Sequence, residues 1–275
     1  MDTWELNRVF GSSAGKVRWD RLGPADGEPV VLLHGTPFSS YVWAEIASTL
    51  AAGGRQVFVW DMPGYGASEM AEGQDVSLAA QGRVFAELME HWRLPEPSVV
   101  AHDFGGCVAL RAHLLHRVPY RRLALVDPVA LAPWGSPFFR LVGENTSVFE
   151  QLPPSLHRAL VREYIGSASH RGLRPGAAEA LAAPWADRTG QAAFYRQIAQ
   201  ADQRYTDEVQ PLYPDISLPV TVCWGEEDSW IPVAKAHELA SLIPGARLRL
   251  VPGAGHLVPL DAPAQLLAAL LDFLG

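Results

Sequence analysis

The stretch Val99-Val100-Ala101-His102-Asp103-Phe104-Gly105-Gly106-Cys107 carries an apolar run into a tight turn of small residues and on into an apolar helical segment. A side chain at the apex of such a strand–turn–helix unit is lifted clear of the backbone, where it can attack a substrate. Small flanking residues let strand, helix and ligand approach closely. The positive end of the helix favours a carboxylate at its start. Asp103 therefore reads as a nucleophile, or as a simple helix N-cap; the stretch alone does not choose.

Three more strand ends carry groups that fit the first reading. His34-Gly35-Thr36-Pro37 follows the apolar run Val30–Leu33, and a loop there can aim the Thr36 N–H at the turn. With the N–H of Phe104 it would form a two-donor oxyanion site. Gly253-Ala254-Gly255-His256 closes the last apolar run and offers His256 as a general base. Trp224-Gly225-Glu226-Glu227-Asp228 offers Asp228 as the carboxylate that orients that imidazole, with Asp127 at the end of Leu123–Val126 as the alternative. The order nucleophile, acid, His then runs along the chain. His34 and His102 read as packed within their motifs, His34 also within reach of a substrate, and the remaining histidines as ordinary residues.

These groups need a scaffold that brings strand ends together. Short apolar runs at Val30–Leu33, Gln56–Trp60, Ser98–Ala101, Leu123–Val126, Val220–Trp224 and Arg247–Val251 alternate with helical patterns. The helical patterns lie near Trp43–Ala52, Leu78–Trp92, Gly105–His116, Val233–Leu242 and Ala264–Leu274. Near-continuous apolar strands alternating with helices predict a doubly wound α/β sheet, mostly parallel and buried on both faces. Leu6–Phe10 and Lys16–Arg21 predict a leading antiparallel hairpin. From Pro128 to Leu218 the rhythm breaks into short helical pieces punctuated by proline, near Phe138–Val142, Ser155–Gly166, Ala177–Ala182 and Gln191–Ala201. Residues 129–218 are thus expected to form a helical cap inserted after the sixth strand, over a core of 1–128 and 219–275. In such sheets ligands bind beyond the carboxyl ends of the strands.

Composition limits the rest. The chain has 275 residues, 48% hydrophobic and 19% charged, which excludes wholesale disorder. A net charge of −8 argues against a nucleic-acid surface. No stretch approaches the roughly 18 consecutive apolar residues of a membrane span, and Met1–Glu5 lacks the basic and apolar segments of a signal peptide. Cys107 and Cys223 sit in apolar runs and suggest no disulfide. A cytoplasmic location is expected, as monomer or homodimer, with a small molecule and water as the partners. The histidines show no metal-ligand spacing and no loop has the form of a phosphate or dinucleotide cradle, so neither metal nor cofactor is expected.

On these residues the chain resembles the α/β-hydrolase superfamily over essentially its whole length. His34-Gly35-Thr36-Pro37 and His102-Asp103-Phe104-Gly105-Gly106 resemble the branch of epoxide hydrolases and haloalkane dehalogenases, and Asp61-Met62-Pro63-Gly64-Tyr65-Gly66-Ala67-Ser68 resembles a structural turn of the superfamily. The resemblance implies an Asp103 alkyl ester that water, activated by His256, then hydrolyses. An attack on an acyl carbon would instead leave an anhydride, which speaks against a simple esterase. In the epoxide hydrolases two cap tyrosines activate the epoxide oxygen. Ala193-Phe194-Tyr195-Arg196-Gln197 resembles one such segment, making Tyr195 the first choice, Tyr164 the second and Tyr205 a spare. Dehalogenases typically carry Trp directly after the nucleophile, where this chain has Phe104; Trp134 or Trp185 would have to hold a halide instead. The resemblance thus favours an epoxide hydrolase acting on small apolar substrates, with a dehalogenase or a non-catalytic ligand binder as the alternatives.

Overall fold

The computed structural model describes residues 4–275. Eight strands form one sheet: β1 (Arg8–Ser12), β2 (Gly15–Leu22), β3 (Pro29–Leu33), β4 (Gln56–Trp60), β5 (Ser98–His102), β6 (Arg122–Val126), β7 (Val220–Gly225) and β8 (Arg247–Val251). Their order across the sheet is β1-β2-β4-β3-β5-β6-β7-β8. The expected hairpin β1–β2 is antiparallel and joins β4 antiparallel; every other pair is parallel. β4, β5 and β7 are buried along their whole length, as strands covered on both faces must be. β8 departs from expectation. It is an edge strand, so Arg247 and Arg249 face solvent while Leu248 and Leu250 are half-buried.

Helices α1 (Ala44–Ala52), α2 (Leu78–Trp92) and α3 (Phe104–Leu114) connect the first strands, and local signals fix them. The Ser77 hydroxyl accepts from the N–H of Ala80 at the start of α2, and Arg93 ends the helix in the left-handed region. After β6 the chain leaves the sheet through α4 (Pro137–Glu144), α5 (Thr146–Phe149), α6 (Pro154–Gly166), α7 (Pro175–Ala182), α8 (Arg188–Ala199) and α9 (Arg204–Asp207) before returning as β7. Prolines at the first turn of α4, α6 and α7 start those helices, where a missing N–H costs nothing. Within the insertion α6 packs on α7 and α4 on α8. Hydrogen bonds that fasten it to the core include Trp185 Nε1 to the Pro37 carbonyl, Thr36 Oγ1 to Gln197 Oε1, and Arg111 to the Tyr205 carbonyl. The chain finishes with α10 (Ala234–Leu242), α11 (Val258–Asp261) and α12 (Pro263–Leu274). Among the described residues no helix is long and apolar enough to cross a membrane.

Candidate active site

Asp103 stands between β5 and α3 with φ +52° and ψ −121°, a conformation that strains any residue but glycine. The turn is clamped: Asp103 N–H donates to the Val126 carbonyl, and its own carbonyl accepts from Gly106 and Val129. Close approach explains two glycines. A Cβ on Gly35 would lie 2.3 Å from Asp103 Cβ, and one on Gly106 would lie 2.4 Å from Pro128 Cβ. The strain lifts a buried carboxylate above the helix and leaves it to its neighbours to hold.

Those neighbours arrive from three loops. The N–H of Thr36 donates to Asp103 Oδ1 at 2.6 Å, and His256 Nε2 lies 3.2 Å from Oδ2. Behind the imidazole, His256 Nδ1 meets Asp228 Oδ2 at 2.9 Å. Asp228 is itself pinned, because its Oδ1 accepts the N–H groups of Trp230 and Ile231 at 2.8 and 2.9 Å. The loop bearing His256 is tied at two points. His102 Nε2 donates to the His256 carbonyl, and Asp261 accepts from the N–H groups of Gly255 and His170 and from the Ser169 hydroxyl. The structure therefore brings Asp103, His256, Asp228 and Thr36 together. Phe104 borders the same space with its ring, but its N–H makes no hydrogen bond to the Asp103 carboxylate among the described residues.

The charge state of His256 follows from its partners. Carboxylates accept and do not donate, so a ring facing one at each nitrogen donates through both. Burial pushes the imidazole down, but the Asp228 carboxylate and the hydrogen bonds to Asp103 and Asp228 outweigh it and hold His256 well above its ordinary range. His102 lies on the other side of the balance. Burial and the neighbouring His256 lower it to about 4, leaving a neutral ring that anchors the loop.

Asp127 does not take the place of Asp228. Its Oδ1 accepts from the Gly225 N–H at 2.8 Å, and its carboxyl sits beside Asp228 rather than on the imidazole. One ligand atom from each of Asp127, Asp228 and His256 lies within 4.8 Å of the others. That spacing would suit a metal, but His256 Nδ1 and Asp228 Oδ2 are bonded to each other.

The cavity over Asp103 has room for about one water molecule, about 20 Å³. It is walled by aromatic rings from the insertion and from the loop after Asp228. Tyr164 stacks on Trp230 at 4.5 Å between ring centroids, and Trp230 stacks on His256 at 5.1 Å. Tyr164, the second choice by sequence, borders the cavity, and burial pushes its phenol above the ordinary range. Tyr195, the first choice, does not reach it. Its hydroxyl lies 2.9 Å from His157 Nδ1, whose Nε2 faces the Trp185 carbonyl, so the phenol donates inside the insertion. Tyr205 is also directed elsewhere, with its hydroxyl accepting from Arg204.

The tryptophan and His34 expectations are corrected likewise. Trp134 borders the cavity, but its indole N–H is given to Thr206 Oγ1; that of Trp185 goes to the Pro37 carbonyl. His34 is buried away from the cavity. Its Nδ1 donates to the Gly35 carbonyl and its Nε2 accepts the Met62 N–H, which makes it a brace of the loop that carries Thr36.

Three neighbours were absent from the sequence-based set. Trp230 stands two residues after Asp228. Tyr65 and Gln197 meet at the loop: the Tyr65 hydroxyl and Thr36 Oγ1 both donate to Gln197 Oε1, at 3.0 and 2.7 Å. Tyr65 lies in the turn read as structural, and Gln197 follows Tyr195 by two positions in α8; only the packing of α8 on the loop reveals them.

The sequence profile of the alpha/beta hydrolase fold matches residues 28–263. The chain belongs to the alpha/beta hydrolase fold family. A crystal structure of a family protein from Burkholderia ambifaria is 45% identical with a TM-score of 0.94, covering 98% of each chain. Haloalkane dehalogenase 2 of Mycobacterium bovis is 25% identical over 98% of this chain and 95% of its own length. The magnesium-chelatase 30 kDa subunit of Rhodobacter capsulatus is 28% identical over 92% of this chain and 88% of its own. The family thus accommodates relatives with quite different names, and the choice among activities returns to the site.

Proposed function

We propose that this chain hydrolyses small, largely apolar epoxides through a covalent ester on Asp103. One observation carries the reading: the Asp103 carboxylate is held from two sides, Oδ1 by the Thr36 N–H and Oδ2 beside His256 Nε2. Oδ1 is then the oxygen that becomes the ester carbonyl, and Oδ2 the one that attacks. Attack on a ring carbon breaks the epoxide C–O bond, and the electron pair passes to the epoxide oxygen. Tyr164, bordering the cavity, protonates that oxygen. The His256 proton restores the phenol through water and leaves the ring neutral. The base is therefore freed by the step that creates the need for it.

Hydrolysis closes the cycle. Neutral His256 takes a proton from water, hydroxide attacks the Asp103 carbonyl carbon, and Oδ1 bears the oxyanion at the Thr36 N–H. The intermediate collapses, its hydroxyl proton passes to the departing diol oxygen, and Asp103 carboxylate and His256 imidazolium return. Epoxide plus water gives diol, with no proton left over.

The helices between β6 and β7 act as a cap in this reading. A cavity the size of one water admits substrate only when they move. A dehalogenase is the second reading, favoured by the relative of that name. Against it, the indole N–H groups of Trp134, Trp185 and Trp230 already have protein acceptors, so none is free for a departing halide.

The test is mass spectrometry of the His256→Gln variant incubated with styrene oxide or with 1-bromobutane. Without the base the ester accumulates. The Asp103 peptide should gain the whole mass of styrene oxide. A butyl adduct lacking bromine, without the epoxide adduct, would establish the second reading. An unmodified peptide with both probes would sink the ester mechanism for either.

A further inference from the structure

Asp127 Oδ1 accepts the Gly225 N–H, but its Oδ2 is fully buried and has no hydrogen-bond partner among the described residues. The groups facing this carboxyl are the Cys223 thiol, Asp228 and His256, and none supplies a donor to it. An ionised oxygen left bare in such a place is costly. A protonated one has a use, because Asp228 lies beside it with an oxygen that only accepts. We propose that Asp127 is a neutral carboxylic acid whose Oδ2–H is donated to Asp228, so that the group behind His256 is a carboxyl–carboxylate pair sharing one proton.

The direction of the titration agrees. Burial, then the neighbouring Asp228 charge, push Asp127 well above the ordinary carboxylate range. The pair stays at a single negative charge, as two carboxylates this close and this dry must. Asp127 is thus a positioning residue. By donating to Asp228 it withdraws charge from the oxygen that faces His256 Nδ1, and so limits how strongly the imidazole holds its proton. The catalytic consequence rests on the reading of His256 as the base; the charge state itself does not.

Carbon-13 NMR of wild-type protein labelled at the aspartate carboxyls tests this directly, with Asp127 assigned through bonds. Its carboxyl carbon should keep the shift of a protonated acid at neutral pH. The resonance should vanish in Asp127→Asn, whose amide N–H replaces the donor, while the His256 ring titrates where it does in the wild type. Asp127→Val, with no donor, should raise the His256 midpoint. An ionised Asp127 in the wild type overturns the proposal. So does an Asp127→Asn variant whose His256 midpoint falls by roughly one to three units, the effect of removing a nearby charge. If neither variant folds, the wild-type spectrum decides. Whether styrene oxide labels Asp103 is a separate result, so failure here and failure of the epoxide reading are told apart.

Discussion

Tyr164 and Tyr195 are both buried phenols of the helical insertion, but their neighbours assign them different work. Tyr164 borders the cavity over Asp103, whereas Tyr195 donates to a neutral His157 within the insertion. Tyr164→Phe should therefore slow formation of the Asp103 ester by roughly 10²- to 10⁴-fold, the usual worth of a positioned acid. Single-turnover labelling with styrene oxide measures this, and an unchanged rate would remove Tyr164 from the reaction. Tyr195→Phe should leave the labelling rate near that of wild type. It should lower stability by about 1 kcal/mol in urea unfolding, because a buried ring nitrogen loses its donor. The two tyrosines were ranked the other way by sequence, for a physical reason. Local resemblance places a side chain on a helix but does not say which buried face of that helix looks at the site. Asp103, Thr36, Asp228 and His256 were legible because each stands at the end of a strand, where a doubly wound sheet gathers its loops.

At the scale of elements, strand and helix periodicity carried most of the fold, and long-range hydrogen bonds carried what it missed. The runs Leu78–Trp92 and Val30–Leu33 appear in the structure as α2 and most of β3. The edge position of β8 did not follow, because Arg247–Val251 groups with the apolar runs although its Arg-Leu-Arg-Leu alternation marks one solvated face. Nor did the junction of Gln197 with Thr36 and Tyr65, whose partners lie 161 and 132 positions away. That junction links α8 to the loop that carries Thr36. Gln197→Leu leaves two buried hydroxyls without their acceptor and should cost roughly 1–3 kcal/mol per unpaired group. Backbone hydrogen exchange should then rise in residues 34–38 and in α8 together. Faster exchange in α8 alone would mean that the loop holds itself. Gly35→Ala tests the same loop from below. Its Cβ would collide with Asp103, so ester formation should be lost while the far-ultraviolet circular dichroism of the sheet remains.

For the whole molecule, a buried neutral carboxyl writes a slope into stability against pH. In the folded chain Asp127 keeps its proton well above the ordinary range; in the unfolded chain it releases it near pH ~3.9. Between those two values the native state binds the extra proton, so stability falls as pH rises, by up to about 1.4 kcal/mol per unit. Its contribution is fully present below the unfolded value and lost through the folded one. His256, also raised, has the same sign, and its stabilising ion pair is lost only as pH rises through its folded value. Asp127→Asn removes the first slope and keeps the second. Guanidinium unfolding of both proteins from pH 4 to 8 should therefore show the variant gaining on the wild type with each step upward. The gap should level off where Asp127 finally ionises in the native state. Parallel profiles would mean that Asp127 titrates alike folded and unfolded, and that its burial beside Asp228 is compensated by a donor elsewhere. A gap that widens toward low pH instead would make Asp127 a stabilised carboxylate, with a proton affinity lowered rather than raised by the fold.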